Sequence, residues 1–465
     1  MRRILPLLAS AAFAAACCSI PAPEPVLPVP SPEQIAWHKK EAYVLACYGV
    51  NTFNDLEWSF GDVPPSTFAP TAQNCRQWTD LFRRAGLTGV VLTAKHHDGF
   101  CLWPTSTTDY NITHSPCGGD VLKELSEACA ASGIDFGVYL SPWDRNNKDY
   151  AFPEYVDNVY HNQIRELISN YGPLFEFWFD GANGGDGYYG GACEKRAIDA
   201  STYYKFDIAR EMIKEKHPDA MIFGSTVPDI CWIGNEDGWA DCTLWCSRNA
   251  ADPVWCGWEV DVSVRPGWYY HASEDDRVKT PDELVEIFYN SIGRGANLIL
   301  GVPIDPRGCV HPVDSARMLQ AAEIIRSDLS ANLLGSASVR ASTVRGRAFS
   351  AGKAVDGDWD TYWATPDGVS QGEITFTFKN PVSLNRFLIQ EYIPLGQRVS
   401  AFSIEYRDGD SWKSVDSTEK ELTTIGYKRI VRFNTVEAAE WRIRFPDSRG
   451  PLCINNIEAF CAPTR

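Results

Sequence analysis

Gly89-Val90-Val91-Leu92-Thr93-Ala94-Lys95-His96-His97-Asp98-Gly99 decides the fold: an apolar run of strand length stops abruptly in two imidazoles, a carboxylate and a glycine. The arrangement recurs twice. Residues 136–140 run into Ser141-Pro142-Trp143-Asp144, and residues 174–179 run into Asp180-Gly181. Further apolar runs lie at 43–50, 221–224 and 297–302, separated by amphipathic stretches at 74–85, 120–132, 154–170, 203–216 and 281–292. Gly86, Gly133 and Gly172 stand just past the last apolar position of a stretch, where helices end. Strands alternating with helices predict a parallel sheet. No Gly-x-Gly-x-x-Gly follows the first strand, so a (β/α)8-type barrel over residues 35–332 is expected rather than a dinucleotide-binding sheet. Barrels of this kind carry their chemistry at the C-terminal ends of the strands, which is where the polar clusters fall.

Past residue 335 the texture changes. Residues 373–378, 402–406 and 441–445 alternate apolar and polar side chains between turn residues, the period of half-buried strands, and no helical period appears. An antiparallel β-sandwich over residues 336–462 is expected, so the 465 residues divide into two domains. The formal charge of −17 argues against nucleic acid or an anionic membrane surface as partner. The chain holds 16 Trp, 19 Tyr and 22 Phe; flat aromatic faces suit the apolar faces of sugar rings, although many must be core.

Residues 1–17 read as an export leader. Arg2 and Arg3 precede an apolar run, 4–16, too short to span a bilayer. It ends in Ala14-Ala15-Ala16-Cys17, similar to a lipoprotein processing site, and lipidation at Cys17 and cleavage to a soluble form both stay open. The expected location is periplasmic, cell-surface or outer-membrane as a lipoprotein, or secreted. Residues 18–34 are proline-rich and read as an extended spacer. The later cysteines are scattered without a Cys-x-x-Cys pair, and Cys242 and Cys246 lack the partners of a zinc set. They read mostly as small buried hydrophobes, with Cys453 and Cys461 as the one candidate bridge.

Asp180, delivered from an almost wholly apolar strand to the barrel mouth, is held as rigidly as a nucleophile requires; a helix cap or loop anchor is the plainer alternative. Glu236, in Trp232-Ile233-Gly234-Asn235-Glu236-Asp237, is the candidate second carboxyl. Trp232 would supply apolar surroundings that raise its pKa, while Asp237, Asp241 and Glu259 are rivals and a solvated acidic loop is the bland reading. His96 and His97 point to opposite sides if they sit on a strand, which disfavours zinc; hydrogen bonds to substrate hydroxyls are preferred over a buried structural pair. Trp58, Trp103, Trp143, Trp178 and Trp268 are each core or stacking surface. Asp356-Gly357-Asp358-Trp359-Asp360-Thr361 is similar to a calcium loop but breaks the EF-hand pattern, and an acidic turn weighs equally.

Residues 35–330 resemble glycoside hydrolase family 29, the α-L-fucosidases. The likeness rests on Gly49-Val50-Asn51-Thr52-Phe53 with Glu57-Trp58, on Ala94-Lys95-His96-His97-Asp98-Gly99-Phe100, and on Val138-Tyr139-Leu140-Ser141-Pro142-Trp143-Asp144. It continues through Phe177-Trp178-Phe179-Asp180-Gly181, Trp232-Ile233-Gly234-Asn235-Glu236 and Arg265-Pro266-Gly267-Trp268-Tyr269-Tyr270-His271. The resemblance implies a retaining exo-α-L-fucosidase with Asp180 as nucleophile and Glu236 as acid/base, of the subgroup cleaving α-1,3 and α-1,4 linkages, needing no cofactor for catalysis. It implies that Glu57, Trp58, His96, His97 and Trp178 hold the fucose, with Tyr139, Trp143 and Trp268 as weaker carry-overs. The implied partners are fucosylated oligosaccharides or glycoconjugates.

Family members usually carry His-Phe-Gly or His-Trp-Gly at the end of the first strand, the His contacting a sugar hydroxyl. This chain has Cys47-Tyr48-Gly49, and a thiol is a weak donor. Reduced turnover, or a relative tuned to another sugar such as α-L-galactose, follows from that departure. A glycan-binding protein with a dead barrel is the reading from a different class. Residues 336–462 resemble the discoidin (coagulation factor 5/8 type C) fold through Ala354-Val355-Asp356-Gly357-Asp358, Thr361-Tyr362-Trp363 and Ile454-Asn455-Asn456-Ile457-Glu458. That likeness implies a structural Ca2+ held by Asp356, Thr361 and Glu458.

Overall fold

The computed structural model describes residues 20–226, 228–248 and 254–463. The readings placed on residues 1–17 lie outside these residues. Eight parallel strands close into a barrel. Its first four are β1 (Ala42–Cys47), β2 (Gly89–Lys95), β3 (Asp135–Leu140) and β4 (Glu176–Trp178); a small antiparallel hairpin follows, β5 (Gly185–Gly187) with β6 (Glu194–Arg196). The barrel resumes with β7 (Met221–Phe223), β8 (Ile230–Trp232), β9 (Gly257–Ser263) and β10 (Asn297–Pro303), and β10 pairs back onto β1 through Ala42↔Leu298 to Cys47↔Pro303. Six of the eight strands coincide with the apolar runs; β8 and β9 were not anticipated as strands.

Helices form over the five amphipathic stretches, and a further long one, Pro312–Asp328, was not anticipated. Asn74 caps Cys75–Arg84 by accepting from Gln77 N, and Asp120 caps Val121–Ser132 by accepting from Lys123 N. Gly133 closes the latter at φ 71°, a left-handed conformation that a side chain disfavours. Their apolar faces pack on the outside of the barrel in one core with Val90, Leu92, Val138, Phe177 and Val260. The lumen is filled separately by Trp37, Tyr43, Leu45, Val91, Tyr139, Trp178, Phe223 and Ile299. A plug of this volume makes the barrel a solid support with its opening only at the strand ends.

Seven antiparallel strands form the C-terminal unit: β11 (Ser338–Ala341), β12 (Trp363–Ala364), β13 (Gly372–Glu391), β14 (Val399–Asp408), β15 (Ser411–Ser414), β16 (Arg429–Ser448) and β17 (Cys453–Phe460). The twenty-residue strands β13 and β16 shift register twice, after Thr377 and after Leu384. Such breaks bend a strand and let the sheet fold over its own core, here Trp363, Phe376, Phe387, Phe433 and Trp441.

The proline-rich segment is not a free spacer. Arg345 Nε donates to Pro21 O (2.7 Å), Arg398 Nη2 to Glu24 O (2.7 Å), and Val26 N to Leu395 O (2.9 Å), so it is strapped along the sandwich. Its end is helical: Ser31 caps Pro32–His38 in a reciprocal box with Gln34, because proline is well suited to a helix's first turn. The cysteine expectation is also corrected. Cys231 and Cys256 form a disulfide, whereas Cys453 is a buried free thiol and Cys461 an exposed one. Cys231 is on β8 and Cys256 directly precedes β9, so the pairing of two unanticipated strands brings these cysteines together.

Candidate active site

A cavity of about 600 Å3 opens at the C-terminal ends of the strands. Its wall includes Glu57, Trp58, His96, His97, Tyr139, Trp178, Asp180, Glu236 and Trp268, drawn from well-separated segments of sequence. Asp180 directly follows the strand-end residue Phe179, whose N–H is bonded to Phe223 O at 3.0 Å. The carboxylate is gripped from two sides: Tyr139 OH donates to Oδ2 (2.8 Å) and Ala182 N to Oδ1 (2.6 Å). Burial and the adjacent Asp180 raise the Tyr139 phenol well above its usual range, so it stays a donor. Gly224, opposite, leaves no alternative residue: a Cβ there would stand 1.8 Å from Phe179 O.

His96 and His97 follow the end of β2 rather than lying on it, which corrects the expectation that they diverge. Their ring centroids are 4.0 Å apart and both face the cavity. His97 Nδ1 meets Ser141 Oγ at 2.7 Å and its Nε2 stands 3.8 Å from Asp180 Oδ1. Burial depresses both, His97 to about 3, so each is a neutral ring with one donor and one acceptor.

Glu236 extends from the loop after β8 and is exposed at the mouth, where Trp268 Nε1 donates to its Oε2 (3.1 Å). Trp232 shares the cavity wall with Glu236, where it is half exposed and its Nε1 donates to Asp261 (2.8 Å). The rival acids separate by position. Asp237 and Asp241 are exposed outside the cavity wall. Glu259 is buried in the lumen beneath the cavity, accepting from Trp178 Nε1 (2.8 Å) and Tyr43 OH. It neighbours the buried Glu176, and burial raises both, so the pair retains a proton at neutral pH.

Other placements are structural. Glu57 lines the cavity but also ties the segment after β9, accepting from Trp268 N and Tyr269 N (3.0 Å each) and facing His271 Nε2 (2.7 Å). Trp143 is not in the wall; it packs behind Trp58 and His97 and donates to Tyr189 OH (3.0 Å). Trp103 is buried and donates to Glu166 (2.8 Å), a core residue. Trp58 is exposed in the wall, whereas Trp178 is buried with its ring stacked between Phe223 (4.1 Å) and Tyr139 (5.2 Å).

Sequence reasoning missed Asp261, Tyr269, Thr93 and Phe223, all in the wall. The alternation Glu259-Val260-Asp261-Val262-Ser263 was a period-two signal for β9 that would have placed Asp261 at the cavity end. Burial lifts the Asp261 carboxyl to about 7. Cys47 lies in the wall near Leu45 O (Sγ to O 3.9 Å), and burial holds its thiol protonated.

The expected calcium residues are less gathered. Asp356 accepts from Thr361 Oγ1 at 2.9 Å and already has Lys353 Nζ at 3.0 Å, while Glu458 accepts from Asn456 (3.0 Å). Among the described residues no group of three or more His, Cys, Asp or Glu is suited to a metal.

Known proteins match over both parts. A family model described as alpha-L-fucosidase matches residues 26–327, and one described as F5/8 type C domain matches residues 338–458. Alpha-L-fucosidase 1 of Arabidopsis thaliana is 36% identical over 450 residues, 91% of this chain and 85% of that one. The crystal structure of a glycoside hydrolase family 29 member from an unknown rumen bacterium superposes with TM-score 0.85 at 37% identity, covering 95% of this chain and 79% of the other. A glycoside hydrolase family 29 fucosidase of Ruminococcus gnavus, in complex with fucose, gives TM-score 0.84 at 29% identity over 96% and 97%. A closed barrel with its carboxylates at the strand ends, matched nearly end to end in this way, belongs to the α-L-fucosidases of glycoside hydrolase family 29.

Proposed function

We propose that the chain removes terminal α-linked L-fucose, 1,3- or 1,4-linked, from glycans with retention of configuration. The carrying observation is that Asp180 and Glu236 share one cavity with unlike surroundings. Asp180 is fixed by two donors deep in the wall, while Glu236 stands at the mouth, where a leaving group departs. An Asp180 oxygen bonds to C1 of the sugar as the C1–O glycosidic bond breaks, and Glu236 gives its proton to the departing oxygen. Glu236 then takes a proton from water as that water attacks C1, releasing Asp180 and fucose. Neutral His96 and His97 contact ring hydroxyls; Trp58 and Trp268 supply apolar faces, and Trp178 lies below them in the cavity wall. The sandwich fits a second contact with a fucosylated glycan.

Azide tests this directly. Asp180→Ala should lose on the order of 10^4-fold in turnover, and azide should restore it with the fucosyl azide of inverted configuration. Glu236→Ala with azide should instead yield the retained anomer. Substantial activity in Asp180→Ala without azide refutes the assignment.

A further inference from the structure

Glu236 stands on a long excursion between β8 and β9, and the sandwich holds the far half of that excursion. The near half is held by the barrel: Ala240 N donates to Asn290 O (2.9 Å), and Gly238 packs so closely on Val262 and Ile287 that a Cβ would meet them at 3.0 and 2.9 Å. Arg294 of the barrel adds a bond from Nη1 to Ala240 O (2.6 Å). Beyond that the partners change, and Arg429 Nη1 of the sandwich donates to Cys242 O (3.0 Å). The Glu419 carboxylate lies between the two guanidiniums, 3.0 Å from Arg294 Nε and paired with Arg429 Nη2. Gln397 Nε2 donates to Leu244 O and its Oε1 accepts from Cys246 N, both at 2.8 Å; Thr424 Oγ1 accepts from Leu244 N at 2.8 Å. Gln397, Thr424 and Arg429 are buried.

The Gln397, Thr424 and Arg429 bonds satisfy backbone groups of residues 242–246 from across the seam, while Trp258 of β9 donates to Trp245 O (2.8 Å) between them; an amide that grips one carbonyl and one N–H fixes both position and direction. A bare loop carrying an exposed carboxyl would sample many placements; a proton donor has to stand within hydrogen-bond reach of one oxygen.

We propose that the sandwich is part of the catalytic apparatus: Gln397, Glu419 and Arg429 are positioning residues that set where the Glu236 carboxyl stands. The inference rests on Glu236 being the acid/base. It separates itself from a general structural role by leaving group. An alkoxide must be protonated as it departs, whereas 2,4-dinitrophenolate leaves without help, and kcat/KM reports the step in which it leaves.

The test compares full-length protein carrying Gln397→Ala or Glu419→Gln on a fucosyl disaccharide and on 2,4-dinitrophenyl α-L-fucoside, with Glu236→Ala as reference. Each positioning variant should lose about tenfold or more in kcat/KM on the disaccharide, while the dinitrophenyl substrate changes less than twofold. Equal losses on both substrates, or none on either, overturn the proposal. If Glu236→Ala itself shows no selective loss, it is the acid/base assignment that fails. Should Glu419→Gln not fold, Gln397→Ala and Thr424→Val, which disturb no charge, give the same readout.

Discussion

At the scale of single residues, the cavity combines side chains legible in sequence with others visible only in three dimensions. Asp180 was legible because a buried apolar strand tolerates a carboxylate only where it leaves the core, which in a barrel is the mouth. Asp261 was not, because no helix-like stretch precedes its strand and its neighbour Glu259 read only as a rival for the second carboxyl. Burial lifts Asp261 to about 7 from an ordinary value near 3.8, so the folded state binds its proton more tightly than the unfolded chain. The stability this contributes is full below the unfolded value and is lost as pH rises through about 7. Asp261→Asn keeps the acceptor for Trp232 without the charge. It should therefore melt above the parent protein at pH 8, the difference closing toward pH 5, in melting curves across that range. His96 and His97 act with the opposite sign: their depressed values make acidification below the usual 6.5 destabilising.

At the scale of elements, the six strands with clean apolar runs and the helices of five amphipathic stretches were predictable from period and caps, but the longest helix, Pro312–Asp328, was not. The two strands that were not, β8 and β9, are short or polar: Ile230–Trp232 is three residues, and Gly257–Ser263 carries Glu259 and Asp261 into buried positions. The pairing that buries them also brings Cys231 beside Cys256, so no spacing rule could reveal the bridge. That bridge closes the 25-residue excursion bearing Glu236. Replacing both cysteines by serine should cost about 3 kcal/mol in denaturant unfolding if the released loop gains its full chain entropy. An unchanged midpoint would show that the released loop gains as much freedom in the folded protein as in the unfolded chain. The calcium proposed for Asp356, Thr361 and Glu458 has Lys353 as a competitor. It predicts a rise in melting temperature on adding Ca2+ that EDTA reverses; a null response removes the site.

At the scale of the whole molecule, the two-domain division was readable from the change of period near residue 335, but the seam was not. Nothing in sequence pairs Gln397 with Leu244, or Lys428 with Glu41, because such contacts depend on how two finished surfaces meet. The proline-rich segment shows the same limit: its extended character follows from composition, its berth on the sandwich only from Arg345 and Arg398. That berth has a mechanical consequence. Residues 21–26 are moored to the sandwich at one end of the described chain, and Asn385 clasps Ala462 through both its amide groups, at 2.8 and 2.7 Å, at the other. Tension applied across the two ends passes through these moorings and shunts past the barrel, whose backbone is slack between them. Stretching the protein should first peel the leading segment from the sandwich, and only then load the eight strands that shape the cavity.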